Sequence, residues 1–216
     1  MSAANDALAQ LMMNTVSFME NNALVIYGCQ SKSGAKDFVL QGTDDNKWRS
    51  CAGGGMKEVP MWVIYAADTF NGKARGEKSN AFNAHYISMR EYDAKTNTWE
   101  DADTTHYTLP STGTRVMVTS KINGCTFGIG SDADGARIVS HLRPPTALGP
   151  VTSRTELDKG TRGGFVGGKL DVSVMSSTEQ NGTVFARRAE GAWTFYVQRF
   201  RSTGGSGIID QVNTYT

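Results

Sequence analysis

Residues 115–145 read RVMVTSKINGCTFGIGSDADGARIVSHLRPP, and the exchange of apolar runs for turn residues in this stretch sets the expectation for the whole chain. Val116-Met117-Val118 is one run and Ala136-Arg137-Ile138-Val139 a second. β-Branched residues suit a pleated, half-buried surface, so both runs predict short strands. Gly128 to Gly135, rich in glycine and aspartate, predicts the loop between them. The first run leads through Thr119 to Ile122-Asn123-Gly124-Cys125. The second passes through Ser140 to His141 and stops at Pro144-Pro145, because proline donates nothing to a strand ladder. Two adjacent strands of this kind bring a thiol and an imidazole together, the minimum for a cysteine nucleophile with its own base.

The same pattern extends outward. Toward the C-terminus, strands are expected over 169–175, 183–188, 192–200 and 208–215, with Gln180-Asn181-Gly182 and Glu190-Gly191 as hairpin turns. Toward the N-terminus, 24–29 and 37–41 predict a hairpin across a turn at 31–36, and Thr43-Asp44-Asp45-Asn46 a further turn. Cys51 to Gly55 reads as a plain glycine loop, since it lacks the lysine and helix start of a phosphate loop. Pro60 to Ala66 is almost continuously apolar, which fits a strand buried on both faces. Residues 69–84 are polar and loop-like. Tyr86 to Tyr92 and Thr98-Trp99 form a hairpin about Asp93 to Asn97, and 106–109 is a short strand before the turn at Pro110 to Gly113.

One strong helix is expected, over residues 5–20, where Leu8, Leu11, Met12, Thr15, Val16 and Met19 share a face and Asn5 is the N-cap. Glu156 to Lys159 predicts a short second helix. The sum is a strand-rich α/β (α+β) protein: a two-layer sandwich or large mixed β-sheet with a few flanking helices, in a single domain spanning 1–216.

Composition narrows the function. The 216 residues hold 22 Lys+Arg against 21 Asp+Glu, a net charge of +1, which argues against a generally basic nucleic-acid binder. No apolar run reaches the roughly 18 residues of a membrane span. The N-terminal residues lack the basic region and apolar block of a Sec signal peptide. Three cysteines, Cys29, Cys51 and Cys125, are an odd count and read as reduced thiols rather than a disulfide framework. With His85, His106 and His141 they make no zinc spacing, so no metal is expected.

Thr119 stands six residues before Cys125, Gly124 immediately precedes it, and His141 follows sixteen later. This arrangement resembles the active site of the bacterial protein-glutamine deamidases, a group that includes Burkholderia lethal factor, the catalytic domain of the cytotoxic necrotizing factors and the chemoreceptor deamidases. There a Gly-Cys element is followed by a histidine, and several members carry a threonine six before the cysteine. The His spacing varies across the group, and the resemblance is confined to the stretch from Thr119 to His141. It implies a toxin or effector that leaves the bacterium without a Sec signal and acts in the host cytosol on a host protein, by precedent a small GTPase or a translation factor. It further implies a monomer needing no cofactor, no nucleic acid and no membrane.

Chemistry assigns the roles. Cys125 attacks the side-chain amide carbon of glutamine, which requires its thiolate, typically favoured by a nearby imidazolium. His141 is that partner, then protonates departing ammonia and activates the hydrolytic water. Thr119 orients the imidazole as third member of a triad. Gly124 permits close backbone approach, and amides from Gly124 to Thr126 face the oxyanion. His85 and His106 lie in polar surroundings and read as surface residues.

Two other readings stay open: a cysteine hydrolase or transglutaminase with the same dyad, separated by its product, and a non-enzymatic β-rich recognition domain using exposed aromatics such as Trp48, Trp62, Trp99 or Trp193. The last requires a buried Cys125 beyond hydrogen-bond reach of any histidine. Trp62 and Trp193 sit in apolar strand patterns and read as core, which weakens it.

Overall fold

The computed structural model describes residues 3–27, 32–67, 81–93, 98–99, 106–123, 125–132, 134–143, 170–172, 180–203 and 206–216. The amphipathic N-terminal stretch forms two helices, α1 (Ala3–Met13) and α2 (Thr15–Asn21), instead of the single one expected. Asn14 leaves helical geometry at φ −137°, and its carbonyl accepts from Phe18 N at 2.9 Å. Thr15 Oγ1 bonds back to Leu11 O at 2.7 Å, a contact that competes with the helix ladder and favours a bend.

The strands, in chain order, are β1 (Ala23–Ile26), β2 (Gly34–Ser50), β3 (Lys57–Ala66), β4 (Ala81–Ile87), β5 (Arg90–Asp93), β6 (Thr98–Trp99) and β7 (Tyr107–Thr108). There follow β8 (Val116–Thr119), β9 (Thr126–Ser131), β10 (Arg137–Arg143), β11 (Leu170–Val172), β12 (Gln180–Ala189), β13 (Ala192–Thr203) and β14 (Ser206–Tyr215). The larger sheet runs β1-β3-β2-β14-β13-β12-β8-β4. β2 bonds β14 through Trp48 to Ser50 and β4 through Gly34 to Val39, so the path from β14 round to β4 returns to β2 and closes a ring. The second sheet runs β11-β9-β10-β5-β6, with β7 added to β10.

Successive side chains on a strand point to opposite faces, and the larger sheet uses both. Val118 of β8, Phe185 of β12 and Tyr196 of β13 pack beneath Leu11, Phe18 and Met19 of the helices. Their neighbours Met117, Ala186, Phe195 and Val197 face Phe127, Ile129 and Val139 of the second sheet. The result is a helix layer on a sheet and that sheet on another, the strand-rich sandwich the sequence predicts. Each large side chain such as Phe127, fully buried here, is worth about 2 kcal/mol of transfer free energy.

Several local expectations are corrected. β1 pairs in parallel with β3 rather than forming a hairpin with β2. Thr43 to Asn46 is no turn: β2 passes through it, with a register shift against β3 between Thr43 and Trp48, the signature of a bulge. Asn181-Gly182 lies inside β12, opposite Phe200 and Arg199. Gly128 to Ser131 is strand, and past its end Asp132 Oδ1 accepts from the amides of Asp134 and Ala136. Ala81 to Ala84, read as loop, opens β4. The strand expected over Tyr86 to Tyr92 is split: β4 ends at Ile87 in the larger sheet, and β5 begins at Arg90 in the second, where Tyr92 stands opposite Trp99 of β6. Glu156 to Lys159 lies outside the described residues.

Trp48 is not an exposed aromatic. It is 4% exposed, meets Phe200 edge-on at 5.1 Å and lies over Gly207, where an added Cβ would collide with the indole. Trp193 is buried and Trp62 half-buried against the helices, so the face of exposed aromatics that a recognition domain would use is not formed by these three. No helix among the described residues is long and apolar enough to cross a membrane.

Candidate active site

β8 and β10 are not neighbours, contrary to the expected strand pair; they belong to different sheets that face one another. Thr119 ends β8, beside Ile87 of the parallel strand β4. Its side chain points into the layer between the sheets, as Met117 does two residues earlier. His141 reaches the same layer from β10. The sequence spacing is therefore productive by a different route: the two residues meet across the sandwich.

Thr119 Oγ1 lies 2.8 Å from Ile87 O and 2.7 Å from His141 Nδ1. A carbonyl only accepts, so the threonine hydrogen goes to Ile87 and its oxygen accepts from the imidazole. That assigns the hydrogen to Nδ1 and leaves Nε2 with its lone pair. Nε2 is buried and has no hydrogen-bond partner among the described residues. The Phe127 ring stands edge-on to the imidazole, with centroids 6.2 Å apart, and limits its swing.

Cys125 immediately precedes β9. His141 is directly opposite Phe127 in the antiparallel pair, and Cys125 is two residues before Phe127 on the same face. The two are thus diagonal neighbours, a position whose backbones stand roughly 7–8 Å apart, and among the described residues no hydrogen bond joins the thiol to His141 Nε2, the separation that the recognition-domain reading requires. The Cys125 sulfur lies 3.5 Å from Met89 Sδ and 3.5 Å from Asn123 O. Cys125 is 2% exposed and His141 1%, yet Asn123 is at the surface and Met89 half-buried. The thiol lies one side chain below solvent.

Burial disfavours the charged form of an imidazole. Together with the smaller effect of the Arg143 charge, it pushes the His141 pKa down to about 3. At neutral pH His141 is therefore uncharged, whereas the expectation was an imidazolium beside the thiol.

Thr126 alternates with Cys125 and Phe127, so its hydroxyl faces away from the thiol; Thr126 Oγ1 is buried with no hydrogen-bond partner among the described residues. Gly124 and Cys29 lie outside the described residues, while Cys51 and Cys125 are both outside disulfides. Among the described residues no group of His, Cys, Asp and Glu could hold a metal ion.

His85 is not a surface residue. It is 7% exposed on β4, facing the same inter-sheet layer, with Tyr107 OH 3.3 Å from Nδ1 and Trp193 edge-on at 6.4 Å. Burial, then the Arg188 charge, lowers its pKa. Its polar sequence neighbours concealed this: Asn83, on the same face of β4, is exposed and bonds Asp37 and Thr114, while His85, two residues on, is covered. Met89 was also missed; its position over the thiol has no sequence signal, since it depends on how β4 leaves the larger sheet. No protein-family model matches this chain, and no curated protein matches it.

Proposed function

We propose that this chain is a cysteine-dependent protein-glutamine deamidase, with Cys125 as nucleophile, His141 as general base and acid, and Thr119 holding the imidazole. The observation that carries the reading is the Thr119–His141 bond. It commits Nδ1 to a donor role and presents Nε2 as a base on the face that Cys125 shares.

The reaction balances on these residues. Nε2 accepts the Cys125 proton as the sulfur bonds the glutamine side-chain carbon, and the amide oxygen becomes an oxyanion near the Thr126 amide. Collapse breaks the carbon–nitrogen bond, and the imidazolium gives its proton to the departing ammonia. Water then attacks the thioester as Nε2 takes its proton; the thiol is restored and glutamate remains. Access requires Met89 to move off the sulfur, a displacement suited to a long, unbranched side chain. The substrate is a host protein, and the setting is the host cytosol after export from a bacterium.

The test is conversion of glutamine to glutamate in host lysates and glutamine peptides, read by mass spectrometry with ammonia release. Conversion that disappears in Cys125→Ala and His141→Ala, both still folded, is the expected result. Folded wild-type protein that yields no Cys125-dependent conversion in any lysate overturns the reading. Peptide cleavage or amine incorporation would assign the dyad to another cysteine enzyme.

The near-complete burial of Cys125 and His141 favours a second reading, in which Thr119 and His141 only tie the two sheets together. Under it, both variants lose stability and no catalytic difference exists to be measured.

A further inference from the structure

Arg188 and Arg115 stand directly opposite each other across β12 and β8. The register Phe185–Val118, Ala186–Met117, Arg187–Val116 continues to this pair, and Arg188 N donates to Arg115 O at 2.8 Å. Both side chains emerge on the inter-sheet face, at the rim of that layer. Like charges directly opposite one another destabilise a sheet unless something answers them. Neither arginine forms an ion pair among the described residues.

Arg188 is also 7% exposed, an unusual state for a guanidinium without a carboxylate. It lies 5.8 Å above the Trp193 ring, and Nη2 donates to Gly113 O at 2.9 Å. Nε is buried and has no hydrogen-bond partner among the described residues. The residue lines a half-open depression of about 560 Å³ together with Arg115, Ser111, Thr112 and Glu190. Two guanidinium groups against the one Glu190 carboxylate leave the depression with a net positive charge. The volume falls within the range of small-ligand sites.

We propose that this depression binds a small oxyanion, a phosphate or a carboxylate, held between Arg115 and Arg188. Guanidinium forks match both groups. The Ser111 and Thr112 hydroxyls, both on the exposed turn at the mouth, supply further donors. The bound anion would neutralise the repulsion across β12 and β8. The site is at the opposite end of β8 from Thr119, about 13 Å away at roughly 3.3 Å per residue. It is separate from the cysteine site and does not rest on the proposed activity.

The experiment titrates inorganic phosphate and, separately, malonate into the full chain at constant ionic strength, with chloride as control, and reads the melting temperature. The expected result is a saturable rise with at least one of the two anions beyond chloride; the larger response identifies the ligand class. Arg115→Gln and Glu190→Gln, at exposed positions, keep the test independent of folding. Arg115→Gln should weaken the apparent Kd tenfold or more, and Glu190→Gln should tighten it. No rise with either anion, or a rise unchanged by both substitutions, overturns the proposal.

Discussion

Thr119 and His141 belong to different sheets, and the 2.7 Å contact between Oγ1 and Nδ1 joins the two across a layer that is otherwise lined by Phe127, Ile129, Met117 and Val139. The hydroxyl accepts from the imidazole and donates to Ile87, so no hydrogen in this relay has a choice of direction.

Replacing Thr119 by valine keeps the volume and removes the relay. It leaves Nδ1–H of His141 and the Ile87 carbonyl unpaired in a dry layer. The loss should be about 3 kcal/mol, two unsatisfied buried groups at the lower part of the usual range. Urea unfolding checks this: the midpoint falls with little change in slope, and Thr119→Ser recovers most of it. Deamidation should follow the same order, wild type, serine, then valine.

The pH dependence follows from the His141 pKa of about 3 against an unfolded value near 6.5. The folded value is depressed, so the stability this group contributes is fully present above about pH 6.5 and falls as the unfolded chain takes up a proton that the native state refuses. Between about pH 6.5 and 3 the slope reaches about 1.4 kcal/mol per pH unit for one such group. His85, lowered by burial and Arg188, adds to it. Urea melts from pH 7 to 4 should show a shallower decline in His141→Gln. An unchanged slope would mean that His141 is charged in the native protein.

Cysteine reactivity should follow cover. Cys51 is half-exposed and Cys125 is buried beneath Met89, so native alkylation by iodoacetamide marks Cys51 first. Met89→Ala should accelerate modification of Cys125 severalfold and leave Cys51 unchanged, as peptide mass spectrometry would show. Equal rates at Cys125 in both proteins would remove Met89 as the cover.

Gln198 offers a test away from the site. It is fully buried on β13; Oε1 accepts from Leu24 N at 2.8 Å, and Nε2 donates to Asn22 O at 2.7 Å and Met19 O at 2.5 Å. Gln198→Leu fits the space but strands an amide and two carbonyls. A loss of about 3 kcal/mol is expected, since each stranded group costs about 1–3 kcal/mol and water reaches some of them after relaxation. Chemical denaturation measures it; a loss below about 1 kcal/mol would show that water replaces the side chain.

The parts of the fold legible in sequence are those written in local period. The stripe from Leu8 to Met19 marks the helical layer, and the run over 192–200 marks β13. Thr119 and His141 were singled out together by residue type and spacing, and their side chains do meet. What failed depends on partners distant in sequence. Thr43 to Asn46 has turn composition, yet β3 pairs on both sides of it and carries the strand through. The parallel pairing of β1 with β3 has no hairpin turn to announce it. His85 reads as a surface residue until the second sheet covers it. The depth of Cys125 was likewise invisible, because it comes from Met89, 36 residues away.

The closing of β2 onto both β4 and β14 has a consequence for synthesis. β2 is made early, but one of its neighbours spans residues 206–215, so its edge at Trp48 to Ser50 stays open until those residues have left the ribosome. Pairings so far apart in sequence form slowly. During that wait the nascent chain exposes an unpaired edge beside Trp48 and Val59, the kind of template that recruits other strands. Yield in a cell should therefore depend on how well chaperones shield the first seventy or so residues while the rest of the chain is being translated.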